Sequence, residues 1–273
     1  MPRDNAPMST PHAPSRETRI ALLIDADNSP AAKIDLILAE LAKLGVANIR
    51  RAYGNWKKNE LKGWEKVLHE CAIRPIQQFD VSKGKNATDM LIAIDAMDLL
   101  YTDRPDAFGI VSSDADFTPL VMHLRAKGAT VYGFGAKKTP DPFVAACSRF
   151  LYLESLGEHD EEPEPDEAAP AGGAPAKKGR AAPKKPASAE LRRDARLVSL
   201  LRNAVDSAAG DDGWSNLSAV RAQIANQASF DPRNHGFKKF SDLVDAIGLF
   251  ETERRGQSLY VRDKRQARAA KGA

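Results

Sequence analysis

Ile110-Val-Ser-Ser-Asp-Ala-Asp-Phe117 contains an abrupt change from apolar to acidic residues, from which the fold of the first domain can be predicted. The apolar run over residues 107–111 predicts a buried β-strand, and the spacing of apolar residues after Phe117 predicts a helix. Two carboxylates, Asp114 and Asp116, therefore lie between the end of a strand and the start of a helix. In open α/β sheets this edge binds ligands. The pattern fits both an acidic helix cap and a divalent-cation site.

A second stretch, Arg19-Ile-Ala-Leu-Leu-Ile-Asp-Ala-Asp-Asn28, repeats this arrangement. Its near-continuous apolar run is typical of a central parallel strand, and the run ends at Asp25, Asp27 and Asn28. Because Asp25 directly continues the apolar run, we expect its carboxylate to be poorly solvated and to need a metal ion, an arginine or a lysine. Two acidic strand ends in one domain predict carboxylates that converge at one edge of the sheet.

A third acidic element is the first turn of a helix predicted over residues 87–101. Asp89 lies in this turn, where the helix dipole favours an acid, and the topology would also bring it to the same edge. Asp95 interrupts the apolar run of this helix and is predicted either to support the site or to pair with a base. Lysine pairs follow several predicted strands: Lys57, Lys58, Lys83, Lys85, Lys137 and Lys138. Lysines around an acidic pocket suit a phosphodiester held against a metal ion, although each pair also fits an ordinary exposed loop.

Periodicity and composition divide the chain into five segments. Residues 1–18 are polar and proline-rich and are predicted to be disordered, whereas 19–157 alternate strand and helix signals, which predicts an α/β domain with a parallel sheet. Residues 158–189 are charged and rich in Ala and Pro, which predicts a flexible charged linker. Three helices and a hairpin over 190–262 predict a small winged-helix-like α+β domain, and 263–273 are predicted to be a basic disordered tail.

The predicted elements of the first domain follow from the apolar spacing. Its strands are predicted at 19–24, 48–53, 73–79, 107–111, 129–134 and 149–153, and its helices at 30–44, 58–71, 87–101, 117–127 and 140–147. In the second domain, helices are predicted at 190–206, 214–226 and 237–247, and a hairpin is formed by 249–253 and 259–261.

The composition limits the possible classes of protein. The chain has 273 residues, a formal net charge of +3 and 42% hydrophobic residues, enough for one medium domain and a smaller one. Its two cysteines, Cys71 and Cys147, belong to no CxxC or Cys/His cluster, which argues against a zinc site or a disulfide framework and favours a reducing compartment. No apolar run has the length of a signal-peptide core or of a membrane span. We therefore expect a cytoplasmic protein.

Three sequence blocks in order resemble the NYN domain, a branch of the PIN-like nuclease superfamily. They are Leu23-Ile-Asp-Ala-Asp-Asn28, Lys85-Asn-Ala-Thr-Asp-Met-Leu-Ile-Ala-Ile-Asp95 and Val111-Ser-Ser-Asp-Ala-Asp-Phe117. The resemblance covers about residues 19–154 and implies a three-layer α/β/α PIN-like fold with a central parallel sheet. It also implies metal-dependent ribonuclease activity, with Mg²⁺ or Mn²⁺ bound by Asp25, Asp89, Asp114 and Asp116. Asn28 would orient Asp25 or a water molecule, and Asp27 fits a ligand role less well.

Residues 190–262 resemble a LOTUS (OST-HTH) domain, on the stretch Phe230-Asp-Pro-Arg-Asn-His-Gly-Phe-Lys-Lys-Phe-Ser-Asp-Leu243. The resemblance implies a module that binds RNA and, in some members, protein partners. On a flexible linker, such a module would raise the local concentration of RNA near the first domain. The candidate RNA contacts are Arg233, His235, Lys238 and Lys239 in this module and Lys57, Lys58, Lys83 and Lys85 beside the acidic edge.

Three functions remain open at this stage. The leading hypothesis is a metal-dependent (endo)ribonuclease that acts on single-stranded or structured RNA. A non-catalytic RNA-binding adaptor would use the same pocket, so the sequence does not separate the two. The third hypothesis is a haloacid-dehalogenase-type phosphatase, because Asp25-Ala-Asp27 resembles its nucleophile motif. Asn28 and Ser29, however, depart from the Gly and Thr that are common at those positions of that motif.

Overall fold

The structure is a computed structural model of the chain, and it describes residues 17–79, 87–157 and 188–269. Residues 1–16, the stretch that carries Lys83 and Lys85, and residues 158–187 of the predicted linker lie outside the described residues. The predictions for these stretches therefore stay predictions.

A six-stranded parallel sheet forms the centre of the first domain in the described residues, as predicted. The strands are β1 (Arg19–Asp25), β2 (Val46–Gly54), β3 (Arg74–Gln77), β4 (Ala107–Val111), β5 (Thr130–Gly135) and β6 (Arg149–Tyr152). Their spatial order is β3-β2-β1-β4-β5-β6, so the direction in which strands are added reverses between β1 and β4. A reversal of this kind opens a crevice at the carboxyl ends of the two central strands.

Helices cover both faces of this sheet and complete the three layers. They are α1 (Ile34–Ala42), α2 (Trp64–Glu70), α3 (Ala87–Thr102), α4 (Thr118–Ala126) and α5 (Asp141–Ala146). The predicted helices at 30–44, 58–71 and 117–127 begin instead with 3₁₀ turns at Ala31–Lys33, Asn59–Gly63 and Ala115–Phe117. Tight turns of this type are common at the start of α-helices, and an apolar period of 3.6 residues does not reveal them.

The alternation of side chains along β1 sets the orientation of the candidate site. Ile20, Leu22 and Ile24 pack in the core under α1 and α2, whereas Ala21 and Leu23 pack in the core under α3, α4 and α5. Because successive side chains of a strand point to opposite faces, the terminal residue Asp25 lies on the α3 side. The fold therefore brings the end of β1 to the start of α3.

The second domain has the predicted winged-helix-like α+β composition, with some shifted boundaries. Asp194 divides the predicted helix at 190–206 because its carboxylate accepts a hydrogen bond from the Leu197 N–H and caps a new helix. The predicted helix at 214–226 begins later because Ser215 and Asn216 pair with the wing. The elements are α6 (Ser188–Arg193), α7 (Ala195–Ser207), β7 (Ser215–Asn216), α8 (Leu217–Gln227), α9 (Phe240–Ile247), β8 (Phe250–Arg255) and β9 (Ser258–Asp263).

Part of the predicted disordered tail is helical. Strand β9 extends to Asp263, and a short helix, α10 (Lys264–Ala269), follows it. The Asp263 carboxylate accepts a hydrogen bond from the Arg265 N–H at 2.9 Å, which caps this helix, and the Arg202 guanidinium lies 3.1 Å from the same carboxylate. The basic composition of the tail concealed this local cap.

The two domains are in direct contact, whereas the sequence predicted a module on a tether. Most of the contacts in the described residues involve Asp231, Arg233 and Asn234, just before and within a 3₁₀ turn at Pro232–His235. Arg196 of α7 adds a further ion pair, 3.6 Å from Asp141 of α5. Asn234 lies against the outer edge of β6, where its amide donates to the Phe150 carbonyl at 2.8 Å and accepts from the Tyr152 N–H at 3.2 Å. The side chain thereby satisfies backbone groups that an edge strand otherwise exposes.

No helix in the described part of the chain is both long and apolar enough to cross a lipid bilayer.

Candidate functional site

Asp25 is the centre of the acidic site at the carboxyl ends of β1 and β4. Its side chain is 1% exposed, and its Oδ2 accepts hydrogen bonds from Asn28 Nδ2 at 3.0 Å and from Ser112 Oγ at 3.1 Å. Its Oδ1 is buried and has no hydrogen-bond partner among the described residues. Burial raises the pKa of this carboxyl above its ordinary value, and the hydrogen bonds from Asn28 and Ser112 oppose that rise.

Ser112 joins the two acidic strand ends. While its hydroxyl donates to Asp25, the same oxygen accepts a hydrogen bond from the Asp114 N–H at 3.1 Å. Asp114 then accepts a hydrogen bond from the Asp116 N–H at 2.9 Å and caps the 3₁₀ turn that precedes α4. The predicted cap is therefore present, and it holds Asp114 beside the switch point of the sheet. Carboxylate oxygens are also the ligands that hard divalent cations prefer.

Asp89 extends the acidic site from the first turn of α3. Its pKa is raised to about 6, first by burial and then by the negative charges of Asp25, Asp114, Asp116 and Asp27. These acids follow β1 and β4 or lie in the first turn of α3, so they share the carboxyl edge of the sheet. The sequence predicted that acids from three distant stretches would reach this edge, and their binding of a common ion stays a prediction.

Asp27 has a basic partner as well as a hydroxyl partner, whereas the hydrogen bonds to Asp25 come from an amide and a hydroxyl. Lys58 Nζ lies 3.2 Å from Asp27 Oδ1, and Thr88 Oγ1 donates to Asp27 Oδ2 at 3.1 Å. The neighbouring Lys57 ammonium lies 5.0 Å from the centre of the Phe79 ring, within the range of a cation–π contact. Of the four lysines predicted beside the acidic edge, Lys58 is thus in contact with the acidic cluster.

Asp95 lies further along α3 and pairs with a base, which is one of the two roles predicted for it. Its two carboxylate oxygens accept hydrogen bonds from the Arg51 guanidinium and the Tyr53 hydroxyl, both on β2. Burial and the neighbouring Asp95 raise the pKa of Tyr53 above its ordinary value. These contacts tie α3 to the sheet and so fix the helix whose first turn carries Asp89.

The acidic site meets some of the requirements of a divalent-cation site. Hard cations prefer carboxylate oxygens, and the buried Asp25 Oδ1 has an uncompensated charge that a cation would neutralise. Within the described ranges, however, no three Asp, Glu, His or Cys side chains converge closely enough to enclose an ion. The donor set therefore fits Mg²⁺ or Mn²⁺ in chemistry, and the ligand roles of Asp25, Asp89, Asp114 and Asp116 stay predictions.

The four residues predicted to contact RNA in the second domain have different environments. Arg233 contacts two carboxylates, with its Nη1 2.6 Å from Glu40 of α1 and its Nε 3.0 Å from Asp231. His235 packs against the Phe230 ring, and burial lowers the pKa of its imidazole. Lys238 and Lys239 are exposed. The structure thus uses the Arg233 guanidinium in the contact between the domains, and the two lysines point to a groove beside that contact.

Several contributors to the site carried no recognisable signal in the sequence. Ser112 lies at the end of a strand and Thr88 at the start of a helix, both ordinary positions for these residues. Their hydrogen bonds to Asp25 and Asp27 depend on the tertiary structure. Asp231 is 1% exposed and accepts hydrogen bonds from Arg149 Nε at 2.7 Å and from Arg233. Nothing in the sequence around Asp231 indicated its partner in β6.

Comparison with protein families identifies both domains. The NYN domain model matches residues 19–154, and the OST-HTH/LOTUS domain model matches residues 192–262. The chain carries an NYN domain followed by an OST-HTH/LOTUS domain. The first places it among the PIN-like nuclease families, and the second is of an RNA-binding class. The match assigns the residues around Asp25 to the NYN domain, which gives no support to the phosphatase hypothesis.

Two individual proteins that are similar to this chain are described only as uncharacterized or of unknown function. The chain is 30% identical over 146 residues to the uncharacterized protein MJ0482 of Methanocaldococcus jannaschii, an alignment that covers 52% of this chain and 57% of that protein. The chain thus spans little more than half the length of this relative. A protein of unknown function from Vibrio parahaemolyticus, VPA0982, has 17% identity over 53% of this chain and 96% of its own, with a TM-score of 0.43. That score is too low to support an inference.

Proposed function

We propose that the chain is a metal-dependent ribonuclease that hydrolyses RNA phosphodiester bonds at the acidic edge of its NYN domain. The observation that supports this most directly is the environment of Asp25. A carboxylate that is 1% exposed, with one buried oxygen unpaired in the described structure, is costly unless a cation compensates it. It lies at the switch point of the sheet among four further carboxylates, where a small number of polar groups can act on a ligand.

Each residue of the site has a role in this proposal. Asp25, Asp89, Asp114 and Asp116 would hold Mg²⁺ or Mn²⁺. When bound, such an ion lowers the pKa of a coordinated water and neutralises charge on the scissile phosphate. Asn28 and Ser112 hold the Asp25 carboxylate in one orientation through their hydrogen bonds to Oδ2. Ser112 also holds the backbone of Asp114, so the two strand ends are positioned together.

The basic side chains near the edge would position RNA. Lys58 lies against Asp27, 3.2 Å away, and so places a positive charge beside the acidic pocket. A phosphodiester backbone would otherwise be repelled by five neighbouring carboxylates. Lys57 is exposed beside it and could neutralise a flanking phosphate. Lys83 and Lys85, which lie outside the described residues, are proposed for the same role on the strength of the sequence.

The direct test is an RNA cleavage assay with the purified full-length chain. Labelled single-stranded and structured RNAs are incubated with Mn²⁺, with Mg²⁺ or with EDTA. Asp25→Asn and Asp114→Asn are compared with Asp98→Asn, a matched control in which an exposed acid of α3 is changed. We expect cleavage with metal, none with EDTA, and losses in the two site variants greater than the roughly 10–100-fold typical of changes that only support a metal ligand.

An RNA-binding adaptor without catalysis is the second candidate. It is favoured by the finding that no three potential ligands in the described part of the chain converge closely enough to enclose an ion. The same assay separates the two candidates. RNA that is bound but uncleaved under every metal condition would reject the ribonuclease and support the adaptor, whereas cleavage that disappears in Asp114→Asn while binding persists would reject the adaptor.

A further inference from the structure

A groove runs between the two domains and is separate from the acidic edge. It has a volume of about 910 Å³ and is lined by the end of α1, the start of β6, the first turns of α8 and α9, and the wing. Its described lining contains seven basic side chains and two acidic ones. The basic residues are Lys43, Arg149, Arg221, Arg233, Lys238, Lys239 and Arg254.

The two acidic groups in the groove are already neutralised by ion pairs. Glu40 contacts Arg233 at 2.6 Å and Lys43 at 2.8 Å, and Asp231 contacts Arg149 and Arg233. Burial raises the pKa of both carboxyls, but the hydrogen bonds and charges of these bases outweigh burial and hold each pKa below its ordinary value. Both acids are therefore charged near neutral pH and bound to bases, so they do not offset the remaining positive charge.

The remaining basic side chains are available to a ligand. Arg221, Lys238, Lys239 and Arg254 of the second domain are exposed, and Lys43 of the first domain is more than half exposed despite its contact with Glu40. A concave surface lined by one sign of charge concentrates ligands of the opposite sign. The groove has many donors and few acceptors, which suits phosphate groups better than a mixed protein surface.

We infer that this groove between the domains binds the phosphate backbone of RNA, and that both domains build it. Lys43 directly follows α1 of the NYN domain, and the other four exposed bases come from the OST-HTH/LOTUS domain. The contacts of Asp231 and Arg233 with Arg149 and Glu40 hold the two walls together. The inference rests on the proposed function only for the nature of the ligand, because an RNA-binding adaptor would use the same groove.

The groove lies at the opposite edge of the sheet from the acidic site. Asp25 ends β1 at the carboxyl edge, whereas Arg149 begins β6 at the amino edge and Lys43 follows α1 after it has run back to that edge. A seven-residue strand such as β1 spans roughly 20 Å. RNA that reaches both places must therefore extend along the height of the sheet, so long RNAs gain the groove contacts and very short ones do not.

The test measures RNA binding in a background that does not depend on cleavage. The full-length Asp25→Asn/Asp114→Asn chain is titrated at several salt concentrations with a labelled single-stranded RNA of about 30 nucleotides. At roughly 3.4 Å per nucleotide, this RNA is several times longer than the roughly 20 Å height of the sheet. The groove variant is Arg221→Ala/Lys238→Ala/Lys239→Ala. The charge-matched control is Lys66→Ala/Arg74→Ala/Lys127→Ala, which removes three exposed bases elsewhere on the NYN domain. Thermal unfolding checks that both remain folded.

We expect the groove variant to bind RNA more weakly and to reduce the slope of log K against log salt by about 2, since each lost single-strand phosphate contact reduces it by roughly 0.7. Lys43→Ala should weaken binding in the same sense, which tests the contribution of the NYN domain. Equal affinity and slope in the groove and control variants would overturn the inference. If Lys43→Ala leaves RNA affinity unchanged while the groove variant lowers it, the NYN domain does not contribute to binding, and the claim that both domains build the site is wrong.

A cleavage assay separates this failure from failure of the proposed function. In the chain with an intact acidic edge, a dinucleotide substrate is too short to reach the groove, so the groove variant should slow the cleavage of the long RNA more than the cleavage of the dinucleotide. Long-RNA cleavage that is unchanged by the groove variant would count against the groove alone. Absence of any cleavage would count against the ribonuclease, while the binding titration would still decide the groove.

Discussion

Two aspartates with the same burial have opposite environments in this molecule. Asp25 and Asp231 are each 1% exposed. Burial raises the pKa of Asp25, and its Oδ1 has no partner in the described structure. For Asp231, burial is outweighed by hydrogen bonds and charges from Arg233 and Arg149, and its pKa is lowered. The first carboxylate has hydrogen bonds but no basic partner among the described residues, and the second is neutralised by two arginines.

The comparison shows why burial by itself does not identify a functional acid. A buried carboxylate with basic partners contributes to the contact between elements, whereas one without them costs free energy that only a ligand or a proton can recover. The distinction lies in the partners, and these come from distant parts of the chain. Arg149 is 82 residues from Asp231, and Ser112 is 87 residues from Asp25.

The largest expected effect is on the free energy of unfolding, and it should differ between the two aspartates. Asp231→Ala leaves Arg149 and Arg233 partly buried without their shared carboxylate, which should lower the free energy of unfolding by about 3–5 kcal/mol. Asp25→Asn removes an uncompensated charge, so in EDTA it should leave the free energy of unfolding unchanged or raise it. Urea unfolding followed by circular dichroism measures both. A loss of similar size in the two variants would show that Asp25 is also a structural acid.

The second effect concerns the response to metal. A ligand present at 100 times its dissociation constant stabilises the folded state by about 2.7 kcal/mol, which corresponds to roughly 5–10 °C in the melting temperature of a domain of this size. We expect Mn²⁺ to produce such a rise in the wild-type chain and none in Asp25→Asn/Asp114→Asn. Asp98→Asn, on the exposed side of α3, is the control that should keep the full rise. An equal rise in the double variant would place the ion elsewhere.

The sheet and the acids that follow β1 and β4 were predictable from the sequence because both depend on local patterns. Buried parallel strands are continuous apolar runs, and topology then places whatever follows Ile24 and Val111 at the same edge. The contact between the domains was not predictable in this way. Arg233 has the same appearance in sequence whether it faces a phosphate or the carboxylate of Glu40, and a tether was the simplest expectation for a charged, proline-rich segment.

Side-chain contacts and caps within the helices and strands were not predicted, for a related reason. The hydroxyls of Ser112 and Thr88 acquire their roles from carboxylates that the chain brings to them only after folding. The helix break at Asp194 is local, but it lies in a stretch whose apolar period predicted one continuous helix. The cap at Asp263 is also local, but the basic composition that follows it predicted a disordered tail. Short polar caps compete with such signals over a single turn.

The smallest expected effect is a pH dependence that differs between the two regions. In EDTA, the folded chain holds a proton on Asp89 up to a pKa of about 6, whereas the unfolded chain releases it near the ordinary value of 3.8. The folded state therefore binds more protons in this window, and its stability should fall as the pH rises from about 4 to about 6. Because Asp89 is partly exposed, solvent screening limits the loss to on the order of 1 kcal/mol.

Asp231 and Glu40 should behave with the opposite sign. Their lowered pKa values mean that their contribution is fully present above the ordinary values of 3.8 and 4.5 and is lost as the pH falls below them. Urea unfolding in EDTA at pH 5, 6 and 7 therefore isolates the acidic edge from the contact between the domains. Asp89→Asn should flatten this series, and Mn²⁺ should do the same in the wild-type chain by compensating the charges. A slope that persists unchanged in Asp89→Asn would mean that neither burial nor the neighbouring carboxylates raise the pKa of Asp89. The acids at the ends of β1 and β4 would then act without the first turn of α3.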